Sequence, residues 1–423
     1  MPQNNNILEL LNIQDKRIEL YQDYYKKEIV NGEQRNIIRA KLSYEPKYCY
    51  HCGTAYGKRI IKHGYKSTKI KLLKTALVNT YLVLDKQRYL CKHCNRTFIL
   101  NTTLVDKYCF ISNKVKAAIA LDLTSIQSIK DIAKKNSVST ATIYRVIASC
   151  YKSFKRKLNY LPRNLCFDEF KSVKAAKGSM SFIYCNADTG ELINIVEDRR
   201  LFVLKKHFYR YSKKARNSVK KIVIDMYSPY ISLIKEVFPN AKIIIDRFHL
   251  VQLISRAFNK TRIRIMKQFP YLRKKLKRYW KLLLKPRHKL NCVNFRKVYC
   301  FKRFMSEQGI VDYLLDMSEE LKANYYLYHN LHYAISTNDI EMFEYYINNL
   351  DDNISNYMIT SINSYKRYLS FVKNSFAYPL SNGKLEGLIG KIKVIKRIAF
   401  GYKSFFWFKT RIFITQKMLY SNI

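Results

Sequence analysis

The sequence predicts a multi-domain α/β protein: a mixed sheet with flanking helices, interrupted by an all-α insertion and preceded by a zinc ribbon and a helix-turn-helix. Three observations carry that expectation. Two Cys-x-x-Cys pairs lie in "YCYHCGTAYG" and "YLCKHCNRTFIL". A Ser/Thr turn, "SVST", separates two amphipathic helical segments at 125–154. Two short apolar runs, "KKIVIDMYSPY" and "AKIIIDRFHL", each end on an aspartate and alternate with helical texture.

The first element, residues 1–44, reads as a polar, partly helical lead-in. It lacks a basic region followed by an apolar one, so no signal peptide is expected. The zinc ribbon is placed at 45–105. Cys49, Cys52, Cys91 and Cys94 are four thiolates on two knuckles joined by strand-rich sequence, which suits tetrahedral structural Zn²⁺. His51 and His93 sit inside the knuckles and read as exposed. A helix-turn-helix follows at 106–155. Ser139 or Thr140 starts its second helix, which is expected to present Thr140, Thr142, Tyr144 and Arg145 to DNA.

A basic linker, "KRKLNYLPRN" at 155–164, leads to a change of texture. Residues 163–250 read as the first part of a catalytic core: a strand "NLCFDEFKSV", a hairpin turning at Asp188-Thr189-Gly190, then helix and strand in alternation. Residues 251–378 form the helical insertion, in which 260–289 carries 13 Lys/Arg and no acid. Residues 379–423 complete the core with C-terminal helices. Tyr279 and Trp280 lie in the basic insertion, where an aromatic could stack on a base but packing is the commoner use. Trp407 reads as core.

The formal charge of +47, from 78 Lys+Arg against 31 Asp+Glu, points to a polyanionic partner. No run of 18 apolar residues exists, so no spanning helix and no membrane partner are expected, and the chain reads as cytosolic and nucleic-acid-facing. Against that background single acids stand out. "SNGKLEGLIGKIKVIKR" contains one carboxylate, Glu386, and on a helix it shares a face with Gly390, Lys393 and Arg397. The two cations would grip a phosphate backbone beside it. Asp168 and Asp225 lie on buried strands, and oxygen ligands of this kind suit Mg²⁺ or Mn²⁺. Asp246 also ends a buried strand and competes with Asp225 as second ligand. His249 lies one turn beyond Asp246.

The order of the knuckles, the helix-turn-helix, "CFDEF", "VIDMYSPY", "FPNAKIIIDRFHLVQ", "SNGKLEGLIGKIKVIKR" and "GYKSFFWFKTRI" resembles the bacterial DDE transposases of the ISL-three family, over about residues 45–415. The resemblance implies an RNase H-like core with a helical insertion between its second and third carboxylates. It implies Asp168, Asp225 and Glu386 as the acidic triad holding two ions, with Asp246 and His249 in support. It further implies cleavage and strand transfer of double-stranded DNA at the terminal inverted repeats of an insertion sequence, by a homo-oligomer, at least a dimer, on paired ends. Two rivals remain: a zinc-ribbon/helix-turn-helix regulator without catalysis, and a structure-selective nuclease. A tyrosine recombinase would leave the isolated carboxylates unexplained.

Overall fold

The computed structural model describes residues 3–152, 158–399 and 401–418. The first residues of the expected linker, 155–157, lie outside that range. Contacts divide the chain into two compact units, Met1–Arg156 with Ile392–Ile423, and Lys157–Lys391.

In the first unit a helix, Gln3–Leu10, precedes a five-stranded sheet. Its strands are β1 (Ile18–Val30), β2 (Glu33–Leu42), β3 (Ile60–Lys71), β4 (Asn79–Cys91) and β5 (Arg96–Ile99), in the order β1-β2-β4-β3 with β5 on β4. The expected lead-in is therefore mostly strand. Asn31 and Gly32 both have positive φ, 52° and 78°, and close a two-residue hairpin between Val30 and Glu33. That is the turn Asn-Gly favours, because its twist matches the strands beside it. β2 then pairs β4 in parallel, so the lead-in and the zinc ribbon share one sheet and one core.

Three helices follow, Asn113–Asp122, Ile129–Asn136 and Thr140–Lys152. Ser128 and Ser139 cap the second and third by accepting the N–H groups of Asp131 and Thr142. Ser137, with φ 49°, makes the left-handed turn between them. Ile132, Ile143, Val146 and Ile147 are buried at the spacing that seals one face of each helix. The helix Phe405–Thr415 packs with them. Its Arg411 is buried and donates to the carbonyls of Leu123, Ser125 and Gln127, which lie just before the second helix. The last helix, expected with the core at 379–423, thus joins the helix-turn-helix unit.

The second unit is built on β6 (Asn164–Lys171), β7 (Met180–Asn186), β8 (Leu192–Val196), β9 (Lys221–Ile224) and β10 (Lys242–Ile245), in the order β10-β9-β6-β7-β8. β6, β7 and β8 form an antiparallel meander, and β9 and β10 add in parallel on the other side of β6. β9 and β10 are almost continuously apolar because both of their faces are covered. β10 is the edge, and the helix Leu369–Ala377 covers it. Ser375 Oγ pairs with the backbone of Ile245, and Asn374 donates to the Ile243 carbonyl.

From the end of β10 the helix Arg247–Gln268 runs into the insertion, and Leu250, Ile254 and Phe258 carry the sheet's core into it. The insertion is helical except for one ribbon, β11 (Arg296–Val298) with β12 (Arg303–Met305). The chain returns through the helix Gly383–Ile398.

Candidate functional site

Two clusters of ligand-type side chains exist among the described residues. In the first, the sulfurs of Cys49, Cys52, Cys91 and Cys94 all lie within 4.8 Å of one another. Cys49 Sγ is 3.8 Å from Cys94 Sγ, and Cys52 Sγ is 3.7 Å from Cys91 Sγ. Four Zn–S bonds of about 2.3 Å in a tetrahedron place sulfurs about 3.8 Å apart. The two knuckles are alike: each puts a left-handed residue, Gly53 or Asn95, directly after its second cysteine. The Thr54 hydroxyl holds the Cys52 thiol down at about 5. His51 and His93 are exposed and outside the cluster.

The second cluster is Asp246, His249 and Glu386; the expected ligands Asp168 and Asp225 are not part of it, although both neighbour His249, and Asp246, the competitor of Asp225, is. Asp168 lies on β6, and Asp225 directly follows β9, the strand beside it. Asp246 follows β10, and His249 is one turn into the helix that begins there. Glu386 is in the first turn of Gly383–Ile398, exposed, while Leu385, Leu388 and Ile389 bury the opposite face. Ligand atoms of Asp246, His249 and Glu386 all lie within 4.8 Å of one another. His249 Nε2 is 2.9 Å from Asp225 Oδ1. That oxygen is shielded from solvent and has no aligned hydrogen-bond donor among the described residues.

The electrostatics match this crowding. Burial pushes Asp168 up to about 7, and the negative charge of Asp225 adds to it against the relief from the Glu169 N–H. Burial alone would lower His249, but Asp225, with Asp246 and Asp168 behind it, outweighs it and leaves the imidazole above its ordinary value. Several carboxylates gathered around one imidazole form a donor set that fits a hard divalent cation.

One residue at this site has no titratable group and escaped sequence reasoning. Asn382 is fully buried; its N–H donates to Asp246 Oδ1 (2.9 Å) and its side-chain NH₂ to the Phe167 carbonyl (3.3 Å). Its carbonyl accepts the Glu386 N–H. Asn382 therefore ties the start of the Glu386 helix to the strand of Asp168 and to Asp246. The signal was its place four residues before the acid, in "SNGKLE".

In the first unit, Thr140 and Tyr144 line a cleft of about 850 Å³ together with Ser128, Lys130, Arg397 and Lys403. Tyr144 also packs on the half-buried Trp407, ring centroids 5.1 Å apart. Arg145 is exposed but lines a different groove, beside Tyr108 and Lys116. Thr142 is a correction: it is buried and its hydroxyl bonds Ser139 Oγ, so it serves the helix start, at the floor of the groove that Arg145 lines. Lys393 and Arg397 are exposed, as are Glu386 and Gly390 on the same helix.

The chain thus combines a mixed sheet with acids at adjacent strand ends, a four-sulfur ribbon and a helix-turn-helix, the parts expected from the sequence. A family model described as transposase matches residues 165–412, and one described as the zinc-finger of transposase IS204/IS1001/IS1096/IS1165 matches residues 45–94. The first covers more than half of the chain, which belongs to the ISL-three family of DDE transposases. A curated relative from Lactococcus lactis subsp. lactis, titled ATP-dependent protease, is 38% identical over 110 residues. That match spans 26% of this chain and 35% of the relative. No helix among the described residues is long and apolar enough to cross a membrane.

Proposed function

We propose that this transposase binds the terminal inverted repeats of an insertion sequence and cuts and joins DNA strands through Asp168, Asp225 and Glu386. The reading is supported by Asp168 and Asp225 on neighbouring strands, with His249 touching Asp225 and grouped with Glu386. Two Mg²⁺ or Mn²⁺ ions, when bound, would supply an activated water or 3′-hydroxyl and neutralise the leaving oxygen. Asp168 and Asp225 would hold them from adjacent strands, and Glu386 from the helix. His249 fixes the Asp225 carboxylate, and Asp246 anchors the Glu386 helix through Asn382. Thr140, Tyr144 and Arg397 would contact DNA from one cleft, Arg145 from the separate groove beside Tyr108, and Lys393 from one turn before Arg397. Phosphate contacts by such cations give affinity that falls steeply with salt. The protein is expected to act in the bacterial cytoplasm, on the nucleoid, as at least a dimer on paired ends.

The test is cleavage of DNA carrying the element's ends in the presence of Mg²⁺. Asp168→Asn, Asp225→Asn and Glu386→Gln should each lower cleavage by roughly a thousandfold or more while leaving end binding intact. Cleavage that survives all three substitutions removes the catalytic assignment. Specific binding with no cleavage by the unaltered protein favours the regulator.

A further inference from the structure

The ribbon β11–β12 presents a face that nothing else in the second unit uses. Its register sets Lys297 opposite Phe304, and Phe295 and Tyr299 flank Lys297 at two-residue spacing. Lys297 and Phe304, as cross-strand partners, share one side of the ribbon, while Phe295 just precedes β11 and Tyr299 opens the turn after it. Phe295, Tyr299 and Phe304 are 63%, 76% and 66% exposed, and their side chains make no hydrogen bond or ring contact among the described residues. The other side of the ribbon is the anchor. Val298 and Met305 are buried, and the Arg303 guanidinium lies 4.8 Å from the Tyr313 ring centroid. At the turn, Phe301 packs edge-on against Tyr313 at 4.8 Å and lies 5.8 Å from Tyr279. Tyr279, one of the two insertion aromatics that sequence reading singled out, is thus buried beneath the ribbon, and the ribbon shows its own rings instead.

We infer that this aromatic face of the ribbon is a nucleic-acid site that stacks unpaired bases, with Lys297 between the rings for a phosphate. Residues 291–306 contain Arg296, Lys297, Lys302 and Arg303 and no acid. Of these, Lys297 lies on the aromatic face; a second copy of that face would set Lys297 against Lys297 within a ribbon free of acids, whereas a polyanion with flat apolar bases satisfies both the rings and the cation. Single strands are held by this combination of cations and aromatic platforms, and each stacked base contributes roughly five- to hundredfold in affinity. The inference rests on DNA as the partner in the proposed function, and it adds that the DNA is locally unpaired there.

The experiment uses the full chain, with no added Mg²⁺, and a duplex carrying 2-aminopurine at one unpaired position. The unaltered protein should quench the fluorophore and bind this DNA about tenfold tighter than the fully paired duplex. Phe295→Ala, Tyr299→Ala and Phe304→Ala combined should abolish both the quench and the preference, with paired-duplex affinity and melting temperature unchanged. Tyr299→Phe should retain them, and Lys297→Glu should weaken binding without removing the quench. An unchanged preference in the triple variant overturns the site. So does a triple variant that changes only the sedimentation of the free protein, or only its binding to phosphatidylserine vesicles. Asp168→Asn should quench like the unaltered protein, so failure of the catalytic reading and failure of this one are read separately.

Discussion

The four sulfurs and the acid–imidazole cluster both gather ligand atoms suited to a cation, yet one is closed and the other open. Cys49, Cys52, Cys91 and Cys94 face one another at the spacing of a tetrahedron, and stiff left-handed turns hold both knuckles. A cation there completes four bonds and leaves no position for chemistry, which is the character of a structural site. The carboxylates are instead tied individually to the protein. Asp168 takes the Glu169 N–H, Asp246 takes the Asn382 N–H, and Asp225 meets His249, while Glu386 stays exposed. The exposure of Glu386 leaves this cluster reachable from solvent. The first site shapes a domain, and the second is held in shape by one.

The comparison breaks most readily at the sulfurs. Structural zinc contributes about 10–16 kcal/mol of apparent binding energy in small ribbons, so chelation or Cys91→Ser should unfold residues 45–105 and abolish specific end binding. Circular dichroism with metal analysis should show about one Zn²⁺ per chain lost together with strand signal. Retention of the sheet without zinc would mean that the core shared with β1 and β2 suffices, since Leu42, Leu82 and Leu84 are fully buried within it.

The next effect sits in the same unit but involves no metal. Arg411 is buried and satisfies three carbonyls, and burial lowers its pKa from the ordinary value. Arg411→Ala would orphan those carbonyls, at about 1–3 kcal/mol for each one left buried without a donor. Denaturant unfolding followed by the Trp407 signal should report it. Arg411→Lys should recover only part, because an ammonium cannot span three carbonyls with the fork of a guanidinium.

These residues also mark how far the sequence could be read. The cysteine pairs and the apolar runs ending at Asp225 and Asp246 were legible because spacing and burial are local properties. So was the adjacency of the Asp168 and Asp225 strands, which follows from the meander preceding β9. The Asn31-Gly32 hairpin was equally local and was overlooked in a polar setting. The parallel pairing of β2 with β4, the Arg411 clasp and the Asn382 tie join residues far apart in the chain, and no periodicity announces them. Thr142 was misread because helical spacing alone does not say which polar residue caps the helix and which faces outward.

Asn382 offers a smaller effect that separates support from catalysis. Asn382→Ala keeps every acid but removes the side-chain bond to the Phe167 carbonyl. Loss of such a supporting contact typically costs 10–100-fold in metal affinity or activity. The expected signature is a raised Mg²⁺ requirement, with much of the rate recovered at saturating metal. Asn382→Asp, which adds a charge beside Asp246, should be worse than alanine; equal behaviour of the two would make the residue a mere space-filler.

The smallest predicted effect is a pH dependence, and its sign is fixed by two groups. Asp168 is held up at about 7, so between about pH 4 and 7 the folded protein keeps a proton that the unfolded chain releases. His249 is raised as well, so its contribution is full below about pH 6.5 and fades as pH climbs through its folded value. Metal-free stability should therefore fall as pH rises through this window. A divalent ion replaces the missing charge, so the increase in melting temperature caused by millimolar Mg²⁺ should grow from about pH 6 to about pH 8. In Asp168→Asn the growth should flatten, leaving only the part that His249 supplies. A Mg²⁺ effect independent of pH in the unaltered protein would place the ion away from Asp168 and His249, and the open site of the comparison would lose its cation.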